Sequence, residues 1–139
     1  MKKVVLLSIF VLLVFAAPLL AAPPNMQPGN WEITTKIQIE GVPFPMPPMK
    51  MNHCYTKQDL EDNSKTLPSG SGKKNDCEVK DMKVMGNSAT WNIVCKDGSK
   101  GTGEITYQGT TYDSTMKMTT KDGSKSTTNI KAKRLGDCK

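Results

Sequence analysis

The stretch from Cys77 to Leu135 is a series of short segments in which apolar and polar residues alternate. The segments are separated by turn signals at Gly86-Asn87, Asp97-Gly98, Gly109-Thr110 and Asp122-Gly123. The pentapeptide Lys-Asp-Gly-Ser-Lys occurs twice, at 96–100 and 121–125. Alternation with a period of two places one side of a strand in a core and the other side in water. The stretch therefore predicts consecutive β-hairpins.

Three pairings of facing residues satisfy both the alternation and common hairpin loop lengths: Cys95 with Gly101, Met118 with Thr128, and Tyr107 with Tyr112. They leave three-residue loops at 97–99 and 122–124 and a two-residue turn at 109–110. Glycine supplies the positive φ that such loops need. Cys77 and Val79 stand at odd positions, whereas Met82 and Val84, expected on the same face, stand at even ones. This change in the alternation predicts a β-bulge near Lys80-Asp81.

The N-terminal half adds two more strands. Residues 31–39 alternate cleanly between Trp, Ile or Thr and charged or polar residues, so they predict a strand with one buried face. The segment 41–48 holds four prolines, which lack the donor of a strand ladder, and it is predicted to be an extended connection. Met49 and Met51 then alternate into a second strand that ends near Cys54.

A capping box follows the second strand. Thr56 is the predicted cap and Asp59 stands three residues later, so one helical turn is expected to run to about Asp62. The predicted fold is therefore all-β, with about seven antiparallel strands in a curved meander or partly open barrel and one short helical turn.

The first 21 residues predict a signal peptide. Lys2 and Lys3 form a basic start, an apolar run covers 4–15, and small residues follow at Ala21-Ala22. Residues 22–139 would then form a single β domain outside the cytoplasm, in the periplasm or secreted. Loss of Lys2 and Lys3 lowers the formal net charge from +6 to +4. That balance is compatible with acidic partners but falls short of a nucleic-acid-binding composition.

The exported part carries all four cysteines, at 54, 77, 95 and 138. An even count in an oxidising compartment predicts two disulfides. In an antiparallel meander Cys77 and Cys95 fall at one end of the sheet, while Cys138, just past the last strand, falls at the other. The predicted pairs are therefore Cys77–Cys95 and Cys54–Cys138.

Several segments together are similar to a known family: Pro28-Gly29-Asn30-Trp31-Glu32, Phe44-Pro45-Met46-Pro47-Pro48-Met49 before Cys54, Gly103-Glu104-Ile105-Thr106-Tyr107, Met116-Lys117-Met118 and the closing Arg134-Leu135-Gly136-Asp137-Cys138. The chain resembles domain-of-unknown-function family 3617, small exported bacterial proteins with a closing Gly-Asp-Cys. The resemblance covers nearly all of the chain after the signal. It implies an exported bacterial domain and supplies no activity.

Two surfaces are candidates for ligand binding. The concave face of the predicted sheet is apolar and is a candidate site for a lipid or a small apolar ligand; its residues are Trp31, Ile33, Trp91, Ile105, Tyr107, Tyr112, Met116 and Met118. The two Lys-Asp-Gly-Ser-Lys turns are separated by two strands and so lie at the same end. They gather Lys96, Lys100, Lys121 and Lys125 into a basic rim that is able to attract an anionic envelope polymer or headgroup.

Nine methionines raise a third candidate, a copper(I) site formed by Met46, Met49 and Met51, because thioethers are soft ligands. The competing interpretation makes Met49 and Met51 a buried strand face and Met46 apolar filler at the end of the sheet. His53, the single histidine, is expected at an edge or in a loop. With no paired nucleophile and base, the chain is expected to be non-enzymatic and to need no cofactor.

Overall fold

The computed structural model describes residues 25–61 and 76–139. It contains one sheet and one short helix: β1 (Gly29–Ile39), β2 (Met49–Tyr55), α1 (Lys57–Glu61), β3 (Cys77–Met85), β4 (Ser88–Cys95), β5 (Lys100–Tyr107), β6 (Thr111–Thr119) and β7 (Lys125–Gly136). The order across the sheet is β2-β1-β7-β6-β5-β4-β3, and every neighbouring pair is antiparallel. The all-β prediction is confirmed. The predicted signal peptide lies outside the described residues.

In the part of the chain that the structure describes, the sheet is open rather than closed into a barrel. Strands β3 to β7 form the expected meander. Strand β1 pairs with β7, and β2 pairs with the other side of β1. The two edges are therefore β2 and β3, which are joined in the chain through α1 and residues 62–76. The segment 40–48 contains no strand, as its prolines predict.

One face of the sheet, called here the inner face, carries the core. Trp31 and Ile105 are its most deeply buried large side chains, and Trp91 is 2% exposed. Buried residues from β1, β4, β5, β6 and β7 join them in one cluster. Trp91 and Ile105 thus share a face, as the alternation predicts. The outer face carries threonine, lysine and carboxylate side chains at the intervening positions.

Two predicted hairpin registers are wrong by two residues. Cys95 pairs with Ser99 through a 2.9 Å hydrogen bond from the Cys95 N–H, and Ile93 faces Gly101. Likewise Met118 faces Ser126 rather than Thr128. The three-residue loops are thus 96–98 and 121–123, which puts each glycine at the third position with φ near +90°. That position closes a type I turn with a bulge and needs a positive φ. A shift of two residues leaves every side chain on its face.

The remaining turn predictions are confirmed. Tyr107 faces Tyr112, and Met85 faces Ser88 across the Gly86-Asn87 turn. The register of β3 shifts between Lys80 and Lys83, where the predicted bulge lies. Within the described chain Asp81 is the only non-glycine residue with positive φ, and its carboxylate accepts a 2.9 Å hydrogen bond from the Asn92 amide. The extra residue thus keeps both halves of β3 in register with β4.

One end of the inner face, called the closed end, is covered by residues 25–28 and by α1. The Gln27 N–H donates to the Gly109 carbonyl, and this lead segment places Met26 in the core. The predicted capping box holds α1: the Thr56 N–H donates to Asp59, and the Asp59 N–H donates to the Thr56 hydroxyl. Leu60 thereby reaches the core. The helix ends at Glu61 within the described residues.

Both predicted disulfides are confirmed. Cys77 lies directly opposite Cys95 on β3 and β4, and the bond joins an edge strand to its neighbour. Cys54 on β2 bonds Cys138 after β7, so this bond ties the second edge to the end of the chain. The two bonds lie at opposite ends of the sheet, as the strand directions require.

Gly103 marks a close approach between β5 and the core. A Cβ placed there would lie 2.2 Å from Cε2 of the Trp91 indole. We therefore expect Gly103→Ala to destabilise the fold by about 1–3 kcal/mol, the usual range for overpacking. Thr102→Ala is the control, because Thr102 projects from the outer face and its loss is expected to cost less than about 1 kcal/mol. Urea unfolding of both variants measures the difference; equal stabilities would contradict the packing described here.

The two disulfides close loops of very different length, with sequence separations of 84 and 18 residues. In the chain-entropy picture the longer loop restricts the unfolded chain more, by about 4.5 against about 3 kcal/mol. The Cys54→Ala/Cys138→Ala variant is therefore expected to lose more stability than Cys77→Ala/Cys95→Ala. Chemical denaturation of the two variants compares them directly. A larger loss for the short-loop variant would show that native contacts at Cys95 outweigh the entropy.

Candidate functional site

The end of the sheet opposite the closed end is called the open end; it comprises residues 39–48, 96–100 and 120–125. The two Lys-Asp-Gly turns are neighbours there, because a Cβ on Gly98 would lie 3.7 Å from Cβ of Lys121. The end of β1 lies beside the second of these turns. The Glu40 N–H donates to the Lys125 carbonyl at 2.9 Å, and the Lys125 ammonium lies 3.5 Å from the Glu40 carboxylate.

All four lysines of the predicted basic rim are exposed at this end. Lys96 and Lys121 begin the two turns, and Lys100 and Lys125 begin β5 and β7. The structure places all four on one end of the sheet. Their role in binding stays a prediction.

Two carboxylates accompany the lysines. The backbone N–H of Ser99 donates to Asp97, which lowers the pKa of that carboxyl, and the nearby Lys121 lowers it further. Hydrogen bonds from the hydroxyls of Thr120 and Ser124 lower the pKa of Asp122 in the same way. Both carboxylates therefore stay ionised and hold the turns in shape. They reduce the net positive charge of the open end.

A run of exposed apolar side chains leaves the sheet at the open end. Phe44 is 79% exposed, and its apolar neighbours along the run are Ile39, Val42 and Met46, each at least 40% exposed. The prolines between them prevent strand pairing, so no ladder holds this segment against the core. Proline residues also lack the backbone N–H, so few backbone donors of this segment need water as a hydrogen-bond partner. An exposed apolar run of this kind is typical of a docking surface.

Depressions lie at both ends of the sheet. A depression of about 500 Å³ lies between the ends of β1, β6 and β7. Ile39 and the half-buried Met118 supply its apolar side, and Lys125 lies at its margin. The depression at the open end thus lies beside the second lysine turn.

The predicted apolar ligand face forms the protein's own core. Seven of its eight residues are less than a tenth exposed and contact one another, and Met118 packs against them from the open end. The Tyr55 and Tyr112 hydroxyls, 3.5 Å apart, meet across this face, and burial raises the pKa of both phenols. Ligand binding by this face stays a prediction, and the packing favours a structural role.

The interpretation of Met49 and Met51 as a buried strand face is wrong. Both do project from the inner face, since Ile33 lies opposite Met51 and Thr35 opposite Met49. They are nevertheless 55% and 58% exposed. The reason is that β2 is an edge strand, so these side chains have a strand on one side only. Met46, expected to fill the end of the sheet, is 42% exposed.

His53 lies on the edge strand β2, as the sequence predicts. It is exposed, lies opposite Trp31 on β2, and so shares the inner face with Met49 and Met51. Its ring lies 4.4 Å from that of Tyr55 in an edge-on contact. The spacing Met-Lys-Met-Asn-His puts these three side chains at alternate positions of β2.

Within 25–61 and 76–139, no three or more His, Cys, Asp or Glu side chains come together as a metal-binding group. In the same ranges, none of the helices has the length and apolar character needed to cross a membrane. Glu104 and Asp113 are exposed on the outer face, and Asp113 pairs with Lys131 at 3.0 Å.

Comparison with known proteins gives a family. Residues 26–138 match the family described as "Protein of unknown function (DUF3617)". The chain belongs to this family. The match spans all seven strands and both disulfides, so the described sheet is the fold of the family region in this chain. No curated protein matches the chain. No solved structure matches it either.

Proposed function

We propose that this member of the family is an exported, non-enzymatic domain that docks through its open end onto an anionic lipid surface of the cell envelope. The observation that carries the proposal is the meeting of exposed apolar side chains and four lysines at one end of the sheet. Two disulfides are compatible with an oxidising, exported location, where such a surface is found. The periplasm is the compartment that we propose.

The apolar segment supplies the larger part of the proposed affinity. Full burial of a phenylalanine side chain is worth about 1.5–3 kcal/mol. Phe44, already 79% exposed, recovers most of that value if it enters the boundary between headgroups and acyl chains. The prolines on either side keep the segment extended and reduce the number of backbone donors that would lose water there. Val42 and Met46 flank Phe44 in the sequence and extend the apolar contact.

The lysines supply orientation and dependence on ionic strength. A lysine close to an anionic membrane contributes about 1 kcal/mol, and this contribution falls off within a Debye length. Asp97, Asp122 and Glu40 lie among the four lysines and reduce this attraction. Charge alone is therefore too weak for stable docking, and apolar insertion alone is also marginal. The two together match the two-signal requirement for peripheral membrane binding.

Vesicle flotation tests this proposal. The protein is expected to float with vesicles of phosphatidylglycerol and phosphatidylcholine more strongly than with phosphatidylcholine alone, and less strongly as salt is raised. Phe44→Ser is expected to weaken binding about tenfold, which corresponds to about 1.4 kcal/mol. The combined Lys→Gln variant at 96, 100, 121 and 125 is expected to remove the preference for the anionic lipid.

Two matched controls are available away from the open end. Leu135 is 50% exposed on β7 near the closed end, and Leu135→Ser is expected to leave flotation unchanged. Lys131→Gln/Lys133→Gln removes two exposed lysines from the outer face and should also have little effect. Equal losses in the controls and the test variants would contradict the proposal. The proposal would also be contradicted if the wild-type protein and Phe44→Ser both bound soluble polyphosphate and neither bound vesicles.

A second candidate function, periplasmic copper(I) handling through Met46, Met49 and Met51, is favoured by one observation. These three thioethers are exposed, whereas a purely structural role would bury them. Thioether sulfur is a soft ligand that selects Cu(I) among the common metal ions. The family assignment itself supplies no support for a metal.

Titration of the purified protein with Cu(I) against a competing chelator measures this second function. We expect binding at micromolar free metal and its loss in a Met49→Leu/Met51→Leu variant, because leucine keeps the shape but removes the sulfur. The unfolding midpoint without metal is expected to stay unchanged, since both side chains are exposed. Absence of binding at micromolar Cu(I) would eliminate copper handling and leave the docking proposal intact.

A further inference from the structure

The outer face of the sheet carries a depression of about 300 Å³ that extends from β3 to β6. Two rows of polar side chains line it and run across the strands. The first row takes Asp81 from β3, Asn92 from β4, Thr102 from β5 and Lys117 from β6. Its volume lies at the lower end of the range of small-molecule sites.

The second row has Lys83 at its β3 end and Glu104 on β5, with a threonine on each side of Glu104. Each of the four strands thus contributes two polar side chains to the depression. Alternate residues of a strand lie about 6.6–6.8 Å apart, which sets the distance between the rows. A ligand between the rows meets hydrogen-bonding groups on both of its sides.

The β-bulge of β3 builds one wall of the depression. Asp81 has a φ of 51°, in the left-handed region that costs a non-glycine residue free energy. Its carboxylate accepts a 2.9 Å hydrogen bond from the Asn92 amide, which holds both side chains on the outer face. Without the extra residue, alternation from Lys80 would turn Lys83 to the inner face. The bulge thus brings two charged side chains to this wall.

The charged side chains of the depression differ from their neighbours on the outer face. Elsewhere on that face the carboxylates of Glu32 and Asp113 are paired with lysines. In the described ranges, neither the Glu104 carboxylate nor the ammonium groups of Lys83 and Lys117 have an ion-pair partner. All three side chains are exposed. Their hydrogen-bonding capacity is therefore available to a ligand.

The charges of the depression select the class of ligand. Two carboxylates and two ammonium groups give a net charge of zero, so an anion and a cation each meet like charges there. An apolar ligand would leave the polar side chains without partners. A hydroxyl group both donates and accepts, so it pairs with carboxylate, ammonium, amide and threonine alike. The lining thus favours an uncharged ligand rich in hydroxyl groups, which is the chemistry of a sugar.

The strand spacing sets the length of the ligand. Neighbouring strands lie about 4.7–4.9 Å apart, close to the length of one sugar unit in an extended β-linked chain. The depression covers four strands, and three strand spacings give about 14–15 Å. A chain of three sugar units therefore spans it from the wall at Asp81 to Lys117.

We infer that this depression is a binding site for an extended, uncharged oligosaccharide of about three sugar units. Asp81 and Glu104 accept hydrogen bonds from sugar hydroxyls, and Lys83 and Lys117 donate to them. The inference goes beyond the docking function, because the site lies on the outer face and uses none of the four lysines of the basic rim. An affinity in the millimolar range is expected, since the contacts are exposed to water.

NMR titration of the ¹⁵N-labelled protein with two neutral β-linked trimers, chitotriose and cellotriose, tests the site. Saturable amide shifts are expected along β3 to β6 around the depression for at least one trimer. The affinity is expected to rise at least about tenfold from the monosaccharide to the trisaccharide. The de-N-acetylated form of chitotriose, which is cationic, is expected to bind at least about fivefold more weakly than chitotriose.

Matched variants on the outer face test the named side chains. Glu104→Ala and Lys117→Ala are each expected to weaken binding of the trimer about fivefold, the effect of one lost hydrogen bond. Glu32→Ala and Lys133→Ala remove the same side chains outside the depression and are expected to change the affinity less than about twofold. All four positions are on the outer face, so small changes of the unfolding midpoint are expected.

Asp81→Gly separates a binding role from a structural one. Glycine adopts a positive φ without strain, so this variant is expected to keep or raise the unfolding midpoint. It also removes the carboxylate, so it is expected to weaken binding of the trimer about fivefold. A lower midpoint with an unchanged affinity would show that Asp81 serves the fold alone, and would remove it from the site.

Three other results would overturn the inference. The first is that neither trimer causes amide shifts at about 10 mM, a concentration above the expected dissociation constant. The second is that the cationic trimer binds as tightly as chitotriose, which contradicts the selection by charge. The third is that Glu32→Ala and Glu104→Ala weaken binding equally, which indicates non-specific association with the outer face.

Discussion

The indole of Trp31 holds the closed end of the sheet together. It is fully buried, lies edge-on to the Tyr55 ring and packs at 5.6 Å against Tyr112. Its Nε1–H donates to the Gln27 carbonyl at 3.1 Å. One side chain thus joins β1, β2 and β6 to the lead segment. Aromatic contacts of this geometry add to the burial of the rings themselves.

The packing around Trp31 makes the two ends of the sheet different. Both tyrosines, Met26 and Leu60 gather at or near the closed end, whereas the open end comprises the ends of strands, short turns and the proline-rich segment 40–48. An open sheet also leaves its edge strands with fewer neighbours. Met49 on β2 and Val79 on β3 are each about half exposed although both project from the inner face. The exposed apolar surface of this protein is therefore a consequence of its topology.

Local chemistry made much of the fold predictable from the sequence. Alternation identified the inner face, glycine and proline identified the turns and the connection, and strand directions were enough to pair the four cysteines. The register errors had a local cause, because the glycine of a Lys-Asp-Gly loop belongs at its third position. The predicted burial of Met49 and Met51 was wrong for a different reason. Alternation shows which face a residue lies on, but not whether its strand is central or at an edge.

The candidate site was predictable only in part for the same reason. The basic rim followed from the number of strands between two identical turns, which is a topological argument. The exposed run at Val42 and Phe44 required knowledge that none of the described residues packs over the proline-rich segment. The exposure of Met49 and Met51 required the edge position of β2. Each of these depends on contacts between parts of the chain that are distant in sequence.

The proposed function requires that the open end is the surface that meets the lipid. Hydrogen–deuterium exchange of the intact domain, with and without vesicles of phosphatidylglycerol and phosphatidylcholine, tests this most directly. Slower exchange is predicted at residues 39–44 and in the turns at 96–98 and 121–123, with no change in the turns at 86–87 and 109–110. Protection confined to the closed end, or no protection at all, would contradict it.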